Sequence, residues 1–538
     1  MNRREIVLAA AAGAFPTRRP GRASDAAMPR DPFADLAELT LAGASRRIRA
    51  GAITSRDLTL ACLERTAAEN PRINAFITVI REQALAQAAV LDGEARRSAF
   101  RSPLHGLPIA LKDAIDTAGT RTTAGSAVYE DRVPTEDAHV VRRLRQAGAV
   151  ILAKANLAEF SLSPTGVSSH FGPVRNPWAL DRVSGGSSSG SAAAVATRMC
   201  FGTLGTDSGG SVRLPAAWCG VVGLKPTDGL VSTGGIIPSV ATLDSCGPIA
   251  RTVEDVALML GQMVGYDALD VRSVERPAED YLSSTRRPVD QLRVGVPRKG
   301  FFDDLEPETA RSVEHALGII AKLTRGIRDV TLPPETGSHD IIINLAEVVS
   351  YHRDLLARYP DRYTPGTRRV LQWCAAYLDD PAQGTAAAKL ARYVEARTAL
   401  GRLRRTIDAT FTDFDVLVVP TMKDSPPTIE AALRYETSAA ADAPPLVSIG
   451  NTLVFNRLGL PALTVPCGFT AEGLPVGLMI CGPRFSEGRL LALGAAYERS
   501  TNGGRRGGRR PAAAERSPPP GPKHRALPGR GTRRLPGD

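Results

Sequence analysis

The chain lacks the clustered ligands that a metal site needs. Its seven cysteines, Cys62, Cys200, Cys219, Cys246, Cys374, Cys467 and Cys481, stand singly, with no CxxC pair. The seven histidines are equally dispersed. Structural and catalytic zinc sites draw on such residues at short spacing, so no metal site is expected. An odd, scattered cysteine set also argues against a disulfide framework and for reduced thiols in a core. No apolar run reaches the roughly 20 residues that cross a bilayer, so no membrane span is expected. A GxxxxGK[ST] phosphate loop is absent, as is any repeat of fixed period. Basic charge is missing from the body as well. Of the formal +11, residues 1–30 contribute +4 and residues 501–538 contribute +8, which leaves −1 for everything between. A basic binding face is therefore not expected in the body, and with it no nucleic-acid partner.

What remains is ordinary for a soluble globular protein, at 43% hydrophobic and 23% charged residues. At 538 residues the chain is long for one domain but within reach of a large α/β enzyme. The two ends stand apart in composition. Residues 1–30 join Arg3-Arg4 to a short apolar run from Ile6 to Phe15, which resembles a twin-arginine export signal. The alternative is a frayed helix ahead of a cytosolic enzyme, so a periplasmic or exported location and a cytoplasmic one both stay open. Residues 501–538 hold fifteen Gly and Pro and nine Arg. They are expected to form a disordered basic tail, either without function or arising from a reading-frame change, with a basic nucleic-acid arm as the competing reading.

Between the ends, helical patterns and short apolar runs alternate. Thr54 or Ser55 is the expected N-cap of a helix ending near Asn70-Pro71, and residues 82–97 are alanine-rich and helical. Leu107 to Leu111 is a strand-length apolar run that delivers Lys112 and Asp113 directly after it. A helix over 138–147, closed by Gly148, leads into a strand over 149–153. Asn156 to Phe160 reads as a short helix. Later strands are expected at 292–296, 415–420, 460–466 and 477–481, with mostly helical sequence from 307 to 405.

The densest chemistry lies in Ser184–Pro215, SGGSSSGSAAAVATRMCFGTLGTDSGGSVRLP. Two glycine–serine clusters, 185–191 and 207–211, flank a small-residue helical run. Glycine costs backbone entropy and buries nothing, so such clusters serve where N–H groups must approach a ligand. A serine nucleophile needs a base, and no histidine here sits in a recognisable motif. A lysine sunk in an apolar site can be that base, because burial favours its neutral amine. Gly186-Ser187-Ser188-Ser189-Gly190 formally matches the GxSxG elbow, but the loop-like residues before it do not supply the required strand.

These blocks, with GLPIALKD (106–113), LAKANLAEF (152–160), LDSCGPIARTVED (243–255), FDVLVVPT (414–421) and LPVGLMICG (474–482), resemble the amidase signature family of serine hydrolases. The likeness covers about residues 35–499. It implies an α/β fold, a single large domain over 31–500 with a central mixed β-sheet flanked by helices. Within it fall a core over 100–265, a helical substrate-side region over about 300–410 and C-terminal core strands over 411–499. It implies Ser211 as the acylated nucleophile, Ser187, after a cis peptide bond, as the bridging serine, and Lys112 as the base. The oxyanion hole then falls on the N–H groups of Ser208, Gly209, Gly210 and Ser211. Ser189 departs from the glycine usual at its position. The reaction implied is hydrolysis of a small or medium carboxylic amide through an acyl-enzyme, with no metal or organic cofactor required, esters or carbamates as further candidates and a homodimer as a candidate assembly. The alternative is the glutaminase (A) subunit of a tRNA-dependent amidotransferase. The export-like start and LDSCGP, in place of LDQIGP, favour the free-standing enzyme. No substrate-binding residue is assigned; Ser161–Phe171 and 307–405 are the expected walls.

Overall fold

Two runs buried at every position set the centre of the molecule. Strand β2 (Pro108–Lys112, PIALK) and strand β3 (Val150–Ala155, VILAKA) are covered on both faces, as parallel strands inside an α/β protein must be. They pair in parallel with Leu111 opposite Lys154 and Lys112 opposite Ala155. Strand β4 (Gly202–Asp207) pairs with the other side of β2, also in parallel. Three carboxyl ends therefore lie side by side, which is where open α/β sheets bind their ligands.

The computed structural model describes residues 34–277, 279–333, 340–438 and 445–501. The export-like start and nearly all of the Gly/Pro/Arg-rich tail lie outside the described residues. Eight more strands extend the sheet: β1 (Phe76–Val79), β5 (Val222–Lys225), β6 (Ser245–Ala250), β7 (Val294–Val296), β8 (Ile327–Asp329), β9 (Val416–Pro420), β10 (Ala462–Phe469) and β11 (Pro475–Cys481). The order across the sheet is β1-β3-β2-β4-β6-β5-β10-β11-β9-β7-β8. Pairing is parallel at β2/β3, β2/β4, β7/β8 and β7/β9, and antiparallel elsewhere. The result is a single α/β domain with a large mixed sheet flanked by helices. All seven cysteines are free. No described helix is long and apolar enough to cross a membrane.

Local physics accounts for most boundaries. Thr54 caps the helix Ser55–Ile73 through a capping box with Asp57. That helix runs past Pro71 and stops at Asn74, whose φ of 62° closes it in the left-handed conformation. The helix expected at 156–160 is instead a single 3-10 turn at Glu159–Ser161. Asn156 Oδ1 takes the Leu157 N–H at 2.8 Å, which competes with a helical first turn. The small-residue run forms the helix Ser189–Ala196, buried throughout and packed on β2, β3 and β4. Its approach depends on Gly190, where a Cβ would lie 2.2 Å from the Ala75 carbonyl oxygen.

Candidate active site

Lys112 ends β2 with its side chain fully buried, and its position at the carboxyl edge points the chemistry toward the glycine–serine clusters. Its Nζ donates to Ser187 Oγ at 2.7 Å and to Thr206 Oγ1 at 2.7 Å. Burial pulls the Lys112 pKa down to about 7, against the opposing pull of Asp244, Asp207 and Cys246. Near neutral pH such a lysine holds a substantial fraction of free amine. The Gly186–Ser187 peptide is cis.

The second cluster folds back onto the first. The Ser188 N–H donates to the Ser211 carbonyl at 3.2 Å, and half-buried Ser211 lines a cavity of about 260 Å³ with Gly186, Ser208, Gly209 and Gly210. The structure thus brings Lys112 and Ser187 into direct contact and sets Ser211 beside them. No hydrogen bond joins the Ser211 and Ser187 hydroxyls among the described residues.

The turn at 208–213 is shaped by a buried carboxylate that the sequence pattern does not single out. Asp207 accepts from the N–H groups of Gly210 (2.7 Å) and Val212 (3.1 Å). It also accepts from Arg213 Nε (3.0 Å), Arg213 Nη2 (2.9 Å) and Asn456 Nδ2 (2.9 Å). Burial works against its charge, but Arg213 and these donors outweigh it and hold the carboxyl well below the usual range. This arrangement corrects one expectation. The Gly210 N–H is occupied by Asp207, so it is not free for an oxyanion. The amides of Ser208, Gly209 and Ser211 have no acceptor among the described residues.

A second buried carboxylate is Asp244. It accepts from Ser208 Oγ and from the N–H groups of Ser239 (2.9 Å) and Val240 (3.1 Å). Burial pushes its pKa up. Asp244 therefore links the 208–211 turn to the cavity wall at 239–240. Ser189 is buried, and its hydroxyl has no hydrogen-bond partner among the described residues.

The cavity wall is mostly apolar. Leu162 and Pro164 come from the loop after β3, Leu345 and Val348 from the helix Ile342–Arg358, and Val370 and Trp373 from the helix Pro365–Asp379. Ile449 and Leu453 close it beside Gly209. None of the described residues lining it carries a charged side chain.

Comparison with known proteins follows the same outline. The Amidase family matches residues 57–491. The chain is 38% identical over 491 residues to the A subunit of the glutamyl-tRNA(Gln) amidotransferase of Roseiflexus sp. (strain RS-1), covering 87% of this chain and 97% of that one. Its fold is similar to native peptide amidase from Stenotrophomonas maltophilia, with a TM-score of 0.75 at 32% identity over 90% of this chain and 100% of that one. Against the A subunit of the glutamyl-tRNA(Gln) amidotransferase from Thermotoga maritima the TM-score is 0.68 at 30% identity, over 86% and 95% of the two chains.

These relatives correct the ranking and one exclusion made from sequence. The alternative reading, as part of an amidotransferase, matches them better than the free-standing enzyme does. The exclusion of a nucleic-acid partner is overturned, because these relatives are subunits of an enzyme named for a glutamyl-tRNA. A net charge near zero describes the sum of the charges and not their distribution, so it excludes neither a local basic patch nor a nucleic-acid-bearing assembly. On the family match, this chain is an amide-hydrolysing enzyme and belongs to the amidase signature family.

Proposed function

We propose that the chain is the amide-hydrolysing A subunit of a tRNA-dependent amidotransferase, releasing ammonia from glutamine through an acyl-enzyme on Ser211. The observation that carries the chemistry is the buried Lys112 amine on Ser187 Oγ, beside Ser211 at the mouth of the cavity. Ser211 Oγ attacks the carboxamide carbon and passes its proton to Ser187 Oγ, while the Ser187 proton moves to Lys112 Nζ. The developing oxyanion is met by the amides of Ser208, Gly209 and Ser211, held by a turn that Asp207 has already ordered. Collapse breaks the C–N bond, and the leaving nitrogen takes the proton back along the same path. Water then attacks the acyl ester with Lys112 and Ser187 in the same roles.

A second reading is favoured by the cavity. Glutamine carries an ammonium and a carboxylate, and an unpaired charge in an apolar site is costly. The absence of charged side chains among the described lining residues fits a free-standing amidase for amides with an uncharged, apolar acyl group. Ammonia release separates the two readings. Turnover of glutamine, rising when the other components of the complex are added, supports the amidotransferase reading; turnover of alkyl and aryl amides by the lone chain, with none of glutamine, supports the second. Full retention of either activity by Ser211→Ala would remove Ser211 as nucleophile.

A further inference from the structure

One wall of the cavity is held by a side chain more than 260 positions away. Ser163 and Pro164 line the cavity, and the loop that carries them lies directly on the turn bearing Ser187. The Gly186 N–H donates to the Pro164 carbonyl at 2.7 Å. A Cβ on Gly186 would come within 2.7 Å of the Ser163 carbonyl oxygen and 2.8 Å of the Gly166 nitrogen, so the two segments have no slack between them. Movement of this loop is therefore movement of the Gly186–Ser187 turn.

Three hydroxyls of the loop converge on one carboxylate. Ser163 Oγ and Thr165 Oγ1 donate to Glu436 Oε1, and Ser168 Oγ donates to Glu436 Oε2. Glu436 sits on the helix Ile429–Ser438 and is only 7% exposed. A second buried carboxylate, Glu159, ties the start of the same stretch to the helix Pro365–Asp379. It accepts from Thr364 N–H at 2.8 Å and Thr364 Oγ1 at 2.6 Å. An apolar plug would fill the space under the loop without the desolvation that a buried carboxylate incurs. What the carboxylate adds is direction: three charge-assisted hydrogen bonds specify where Ser163, Thr165 and Ser168 stand.

We propose that Glu436 is a positioning residue, which clamps the 163–168 loop against Gly186–Ser187 and thereby sets both the cavity wall and the placement of Ser187 relative to Ser211. The proposal rests on Ser211 being the nucleophile. A fluorophosphonate that phosphonylates Ser211 reports the chemistry, and KM for the best amide reports the wall. For Glu436→Ala, folded by circular dichroism at the assay temperature, the labelling rate is expected to fall about tenfold and KM to rise, with Glu436→Gln restoring much of both because its amide oxygen still accepts. A lowered melting temperature with labelling rate, kcat and KM all within about twofold of wild type would overturn the clamp and leave Glu436 a structural residue. If Glu436→Ala does not fold, Thr165→Val, nearly isosteric and lacking one donor, carries the same readouts with the same two outcomes. Wild-type protein that is not labelled at Ser211 would instead overturn the nucleophile assignment, so the two failures are distinct.

Discussion

Lys112 and Lys154 lie on adjacent parallel strands, both fully buried, with burial pulling the pKa of each below the usual lysine range. They differ in what they touch. Lys154 Nζ lies 3.5 Å from Asp113 and donates to the Ile115 carbonyl (2.7 Å) and Thr122 Oγ1 (2.6 Å). It is part of an ion pair that pins the turn after β2. Lys112 has two hydroxyls as acceptors and, among the described residues, no carboxylate in hydrogen-bond contact. Burial alone therefore does not make a base. A lysine becomes one when burial is left uncompensated by a paired anion and a proton-carrying hydroxyl stands within reach.

That contrast breaks down if the two lysines are interchangeable. Lys112→Ala is expected to lower kcat/KM about a thousandfold or more while leaving the melting temperature close to wild type. Comparable activity in this variant would end its role as base. Lys154→Ala is expected to act in the opposite sense. Leaving Asp113 buried without its partner costs about 3–5 kcal/mol of stability, seen as a lower denaturant midpoint, with little change in kcat for the fraction that remains folded. A Lys154→Ala protein of wild-type stability would show that the pair with Asp113 is not what Lys154 is for. The smallest effect is at Ser189. Its buried hydroxyl has no partner among the described residues, so Ser189→Ala should be neutral or stabilising by about 1 kcal/mol, and a clear loss of stability would reveal a bond that the structure does not show.

The same contrast explains what can be read from sequence. Strands β2 and β3 are legible because continuous apolar runs of that length have few other fates. Lys112 is therefore placed at a strand end by local pattern alone, without the family resemblance. Strand β4 is not legible: in GTLGTD two glycines and a closing Asp offset the two threonines, and only its neighbours β2 and β6 make it a strand. The pairing of Lys112 with Ser187 comes from the resemblance, since 75 residues separate them and no local pattern joins them. Asp207 lies inside a glycine–serine cluster, yet its role is hidden in the sequence, because the partners Arg213 and Asn456 identify it and Asn456 lies 249 residues away. Glu436 and Asp244 are invisible for the same reason. A carboxylate on a helix or after a loop reads as solvated surface until the fold brings hydroxyls to it.

The most direct measurement is the rate of Ser211 labelling by a fluorophosphonate from about pH 5 to pH 9, in wild type and in Lys112→Ala. The base is the neutral amine, so protonation removes it. With the Lys112 pKa at about 7, the wild-type rate should climb about tenfold per pH unit from the acid side and level off above about pH 7, while the variant stays slow and flat. A wild-type rate that is flat across the range, or a Lys112→Ala protein labelled as fast as wild type, would contradict activation of Ser211 by a buried neutral lysine.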